Sequence, residues 1–312
     1  MIGIIVEFGN FGRVGLAVSC HRSNTMVLSI LEKAFSEQIK FAAVIVVDSQ
    51  GDESIRSEIR KREWPVVYHN SEENLGAAGN HAKRLELAAL NELDWCYFLN
   101  HDGHLDFHNV KSMLITASMR TKVGAVYPLL YNGTRAMPWE DGRRSFLPSA
   151  GRLSSTRPPH NSQVEVMWGS SNGALYNLAP YRDGVRIWTD VWHGYEDLGY
   201  GALLHDRGWV QLVCRDAVLR DAYDYKKVRF LGKTLNITDK PAWYAYYGIR
   251  NLMLLRRRRL FRARFTLLIV QKMLRETAIT LLLRGEKRRR LQFLYLGFVH
   301  GLTGKGGKWR LP

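Results

Sequence analysis

The chain has 312 residues, 46% of them apolar, enough for one large α/β domain or for a smaller domain with an appendage. Its formal net charge is +16, but residues 251–312 hold 16 Lys+Arg against 2 Asp+Glu, so nearly all the excess sits in the last fifth. Three well-separated cysteines with no C-x-x-C argue against a disulfide framework or a zinc ribbon. The short apolar start and the lack of any long uncharged run argue against a secretory signal or a bilayer span.

Residues 15–20 (GLAVSC) read as a short strand. Ser23 or Asn24 can cap a helix over 26–35, where apolar residues recur at helical spacing. The β-branched run 41–47 (FAAVIVV) has the composition of a buried parallel strand and ends on Asp48. A charged helix over 53–62, a strand over 65–68, a Gly-containing loop, a helix over 80–92 and a strand over 95–99 complete a regular alternation. This alternation predicts a doubly wound, mostly parallel α/β sheet.

In such sheets ligands bind beyond the carboxyl ends of the strands. Those ends carry His21, Asp48, the segment 70–74 and Asn100–Asp102. The segment 131–165 reads as a long loop. A strand, a small-residue turn and a strand follow in VEVMWGSSNGALYNL, then a helix in HGYEDLGYGALLHDRGW and a strand in VQLVCRDAVL. From Trp243 onward the chain reads as basic, amphipathic helix.

Asp102, on a turn after an apolar strand, suits a hard divalent ion completed by phosphate oxygens and water. Its plainer reading is a strand-end cap. His101, His104 and His108, with Asp102 and Asp106, offer a zinc alternative, but the spacing H-x2-H-x3-H fits no standard arrangement. Glu196 and Asp197 open a helix, where acids suit the dipole. One of them can also act as a general base toward a hydroxyl. Asn74, Gly76, Gly79 and Asn80 form a loop where backbone can approach a ligand, with neither dinucleotide-binding nor P-loop spacing.

Taken in order, GLAVSCHRSN, VIVVDSQGDES, NLGAAGNHAKRLELA, WCYFLNHDGHLD, GSSNGALYNL and GYEDLGYGALLHDRGW resemble the inverting family 2 glycosyltransferases of GT-A fold, especially rhamnosyltransferase-like members. The resemblance covers about residues 14–222. It implies a nucleotide-sugar transferase domain over 1–235 and a basic helical region over 236–312. It also implies a UDP-, dTDP- or GDP-sugar donor and a Mg2+ or Mn2+ cofactor.

By position, the resemblance implies that Asp48 contacts the donor base and that Asp102 binds the metal on the diphosphate. Asp197, or else Glu196, is the base, and Gly173 lines the sugar site. His21, Asn74, Gly76, Asn80 and Asn100 fall on the donor side. Asn100 replaces the first acid of the D-x-D motif, Gly199 and Leu203 depart from the pattern after the acid pair, and Asp221 falls near a metal-assisting position.

The basic tail mixes arginines with apolar blocks, which suits an interfacial helix on anionic lipid. The expected setting is cytoplasmic, at the inner face of a membrane, with a glycan or lipid-linked acceptor and no nucleic acid. The alternatives are a nucleotidyltransferase, or a basic membrane- or nucleic-acid-binding protein with an inactive transferase-like domain.

Overall fold

A computed structural model describes residues 8–21, 24–37, 40–49, 51, 53–132, 164–221, 225–230, 233–238, 240–258 and 262–309. The first half alternates strand and helix: β1 Val14–Cys20, α1 Asn24–Ser36, β2 Val44–Asp48, α2 Glu53–Lys61, β3 Val66–Asn70, α3 Gly76–Leu90 and β4 Trp95–Leu99. Then come α4 Phe107–Ser118, β5 Val123–Asn132, β6 Val164–Glu165, β7 Leu175–Asn177, α5 Ala179–Arg182, α6 Glu196–Asp206 and β8 Val210–Asp221. A separate hairpin, β9 Tyr225–Phe230 with β10 Lys233–Thr238, leads to α7 Tyr244–Arg257, α8 Arg262–Leu283 and α9 Lys287–Thr303.

The main sheet runs β3-β2-β1-β4-β7-β5-β8-β6. β1, β2, β3 and β4 pair in parallel, as do β5 and β8. β7 lies antiparallel between β4 and β5, and β6 is antiparallel to β8. The predicted mostly parallel, doubly wound sheet is therefore present, with a short reversed strand at its centre.

Side-chain alternation divides the core between the two faces of the sheet. Leu16, Val18, Val46, Tyr97 and Leu99 pack against α1, α2 and α4. Ala17, Ile45, Val47 and Phe98 face the other way, against α3, α6 and α7. The helix α4 and the strand β5 were not read from the sequence. The signals for α4 are Asp106, whose carboxylate accepts the His108 N–H as an N-cap, and the buried series Phe107, Val110, Met113, Leu114 and Ala117.

The basic C-terminal region is two-sided in character. α7 is a core helix: Ala245, Ile249, Leu252, Met253 and Leu255 join the cluster formed by α3 and α6. α9 packs closely on it, because a Cβ at Gly297 or Gly301 would run into Tyr246 or Met253. α8 instead leaves Leu267, Val270, Leu274, Leu281 and Leu282 exposed. No helix among the described residues is long and apolar enough to cross a membrane.

Candidate active site

The strand ends open onto a cleft of about 330 Å3. Its floor comes from Ser19 and Cys20 at the end of β1 with His21 just after it, Ser49 after β2, and Asn100 and His101 after β4. One side is Asn74, Gly76, Ala77, Asn80 and Arg84, leading into and along α3. The other is Ser171, Trp192, His193 and Glu196, with Trp243 before α7.

The floor is tied together by hydrogen bonds. Asn172 Oδ1 accepts the Asn100 N–H at 2.9 Å, and Ser19 Oγ donates to Asn100 Oδ1 at 3.3 Å. Asn80 Nδ2 donates to the Val47 carbonyl (3.0 Å) and to Ser49 Oγ (3.1 Å), while its buried Oδ1 has no partner. Asn74 Oδ1 accepts the Gly76 N–H at 2.9 Å, so the predicted loop is the entry to α3, which begins four residues earlier than the sequence reading placed it. Gly76 has φ +65°, and a Cβ there would meet the Trp192 carbonyl and ring. Trp192 Nε1 in turn donates to the Asn74 carbonyl at 3.2 Å. The glycine is thus needed for both its left-handed backbone and its close approach.

Asp48 lies just behind this floor. It is fully buried, with Tyr68 Oη donating to Oδ2 at 2.8 Å and the Gly51 N–H to Oδ1 at 3.2 Å. Its carboxylate and its own burial push the Tyr68 phenol upward, burial being the larger cause. Gly173, at φ +74°, packs toward Leu219 and Pro128, and its N–H donates to the Phe98 carbonyl at 2.8 Å. Ser171, rather than Gly173, lines the cleft.

The acid pair divides sharply. Glu196 lines the cleft, and its Oε2 is buried without a hydrogen-bond partner. Burial raises its pKa. The backbone N–H groups of Glu196 and Gly194, and then the Arg84 charge, oppose that rise. Asp197 is half-buried and outside the cleft lining, with Oδ1 accepting the Leu198 N–H at 2.8 Å.

Sequence reasoning misses two cleft residues, Arg84 and His193, and one behind the lining, His81. Arg84 is 2% exposed, donates to the Leu99 carbonyl at 3.2 Å and lies 4.4 Å from the Phe98 ring centroid, with its Nε unpartnered. Burial brings its guanidinium down to about 10, so it remains a cation at neutral pH. Next to it His81 is buried among Phe98, Tyr176 and Tyr200, with both ring nitrogens unpartnered, and burial holds it neutral. His193 shares a 2.8 Å hydrogen bond with Tyr244 Oη, and burial lowers its pKa to about 4. The available signal was polar residues at core phase: Asn80, His81 and Arg84 sit on the same face of α3 as Leu85 and Ala88.

Asp102 is exposed on the turn after β4, outside the cleft lining. Among the described residues no group of three His, Cys, Asp or Glu side chains stands ready to hold a metal, which also leaves the His101/His104/His108 zinc alternative without support. A hard divalent ion that shares a diphosphate needs only one or two protein carboxylates, and Asp102 fits that donor set. Asp221 ends β8, and its side chain lies outside the described residues, as does nearly all of the predicted 131–165 loop.

No family model matches the chain. A stretch of 115 residues, 37% of the chain, is 28% identical to galactofuranosyltransferase GlfT1 of Mycolicibacterium smegmatis, and the match spans only 38% of that protein. Among solved structures, the chain is similar to S. aureus TarS 1–349, with a TM-score of 0.58 and 12% identity over 93% of this chain and 81% of that one. It is also similar to the mannosyltransferase PcManGT of Pyrobaculum calidifontis in complex with GDP-Man and Mn2+, with a TM-score of 0.55 and 13% identity over 95% and 88% of the two chains. A third likeness is to GalNAc-T7 with UDP, GalNAc and Mn2+, with a TM-score of 0.54 and 10% identity over 95% of this chain and 56% of that one. The architecture of this chain is therefore the GT-A fold, with helices appended after the sheet.

Proposed function

We propose that this protein is an inverting glycosyltransferase of the family 2 type, similar to rhamnosyltransferases. It moves a sugar from a nucleotide-sugar donor to a glycan or lipid-linked acceptor in cell-surface polysaccharide synthesis. The observation that best supports this is Glu196, a carboxylate with a raised pKa on the wall of a strand-end cleft, opposite polar strand termini. A base of this kind can take a proton from a hydroxyl near neutral pH.

In this reading the acceptor oxygen attacks the anomeric carbon from the face opposite the diphosphate. The new C–O bond forms as the bond to the diphosphate breaks. The hydroxyl proton passes to Glu196, the nucleoside diphosphate departs and the configuration inverts. Asp197 is the adjacent positioning acid. Asp48 and Tyr68 stand at the base end of the donor, and His21, Asn74, Gly76, Asn80 and Asn100 around its phosphates and ribose, with Gly173 behind the sugar. Mg2+ or Mn2+ at Asp102, with Asp221 as a further candidate ligand, would offset the charge gathering on the diphosphate.

We place the enzyme in the cytoplasm at the inner face of a membrane. The exposed leucines of α8 and the surplus of arginine after residue 250 support an anionic lipid surface as its partner, each basic group near that surface being worth about 1 kcal/mol. One observation favours the alternative of an inactive, basic binding protein: Asp102 lies outside the cleft lining.

The test is a thermal-shift screen against UDP-, dTDP- and GDP-sugars with and without Mn2+, on the native chain and on Asp102→Ala. Native-state binding at about 100 times Kd adds about 2.7 kcal/mol of stability. A Mn2+-dependent shift lost in Asp102→Ala supports the reading and identifies the base. A folded protein that responds to no nucleotide sugar would falsify it.

A further inference from the structure

The stretch that delivers Glu196 to the cleft is strained. Trp192 (φ +52°), Gly194 (φ +83°) and Tyr195 (φ +66°) all lie in the left-handed region, and two of the three carry side chains. Backbone in that region persists only where its surroundings over-determine it. Those surroundings come from one turn of α7, more than fifty residues further along the chain.

Asn251 is fully buried, and its Nδ2 lies 2.9 Å from the Val191 carbonyl and 2.8 Å from those of both His193 and Gly194. Its Oδ1 accepts from Arg250 Nε at 2.9 Å. Arg250, also fully buried, donates to the Val191 carbonyl at 2.8 Å and to the Gly307 carbonyl at 2.6 Å. Gly307 N–H returns to the Asp190 carbonyl, and the Trp309 N–H donates to Tyr247 Oη at 3.1 Å, so the strap after α9 closes the assembly. An amide and a guanidinium on the buried stretch of α7 would be costly without these partners.

We propose that Asn251, braced by Arg250, is a positioning residue that holds the 191–195 backbone and through it the Glu196 carboxylate. Asn251 grips the Gly194 carbonyl, and the N–H of the same residue is among the groups that lower the Glu196 pKa against its burial. The other titratable or charged groups around Glu196 are Arg84 from α3, His193 and Asp197 in the same stretch, and Tyr244 from α7. The inference rests on Glu196 being the base, as proposed above, but its first readouts need no substrate.

The test compares the full-length native chain with Asn251→Ser and, should that variant fold poorly, Arg250→Lys. Amide hydrogen exchange is read by mass spectrometry. The Glu196 carboxyl is followed by 13C NMR titration, its signal identified by its loss in Glu196→Gln. Exchange across 192–198 is expected to rise by about tenfold, with β1, β2 and β4 unchanged, as a local rather than global opening. The Glu196 titration is expected to move to higher pH. Where the screen has supplied a donor, UDP or GDP affinity should hold while turnover falls by about 10- to 100-fold, with the acid limb of the pH profile displaced upward.

Uniform loosening of the whole chain, or a Glu196 titration that does not move, would overturn the proposal. Absence of any nucleotide binding in the native chain would instead count against the transferase reading and leave the exchange and titration results to decide this one.

Discussion

The two sides of the cleft are built on different physical terms. The floor, at the ends of β1, β2 and β4, is tied to its surroundings by hydrogen bonds between uncharged groups, Asn172 to Asn100 below it and Asn80 to Val47 from α3. The wall, from residues 189–197 and α7, holds left-handed backbone, a carboxylate kept away from water and a histidine, His193, kept neutral by burial. Low strain suits a surface that only has to receive a ligand. Perturbed groups under constraint are what proton transfer requires. On the proposed reading binding falls to the floor and chemistry to the wall, and each variant below tests that division.

The largest effect is expected on the wall. Glu196→Gln keeps the shape and removes the proposed base, so turnover should fall by about 10²- to 10⁴-fold while nucleotide affinity stays unchanged. Asp197→Asn should cost less. Equal losses in both, measured in steady state, would sink the division between them. Glu196→Gln should also raise the melting temperature above pH 7. A carboxyl whose folded pKa is raised destabilises the native state as pH climbs from its unfolded value through the folded one, and the amide escapes that loss.

Gly76→Ala tests the seam between floor and wall. Its φ of +65° and the collision with Trp192 should cost about 1–3 kcal/mol, read from denaturant midpoints, with a loss of nucleotide binding. Arg84→Met removes the buried cation that both sides share. Diphosphate affinity should drop by about tenfold, and the acid limb of the rate profile should move up, since Arg84 lowers the Glu196 pKa. An unchanged profile would mean that the two groups do not communicate.

The remaining effect is acid lability. His81 and His193 are neutral in the fold, with pKa values below the ordinary 6.5. The unfolded chain therefore binds more protons. Stability should be complete above pH 6.5 and decline as pH falls toward 4, by at most about 1.4 kcal/mol per pH unit for each histidine. His193→Gln should flatten part of that slope in thermal melts across the window.

The sequence by itself determined the alternation from β1 to β4. The run 95–99 is a strand end to end, and the apolar run over 41–47 supplies all of β2 but its last residue, Asp48, because apolar, β-branched runs and helical spacing are local signals that the sheet does not override. It also carried the acid pair and the polar strand ends. Tertiary structure decided which acid faces the cleft. Glu196 and Asp197 are adjacent in a first helical turn, and only the curl of 192–195 gripped by Asn251 turns one inward.

Tertiary structure likewise separated α7 from the rest of the basic tail. Its composition resembles that of α8, yet Arg250 and Asn251 are fully buried because carbonyls some sixty residues upstream accept their donors. Arg84 is the same lesson on a smaller scale. A charged residue on a helix reads as surface until a carbonyl and a ring face from β4 and a carboxylate from α6 make its burial favourable.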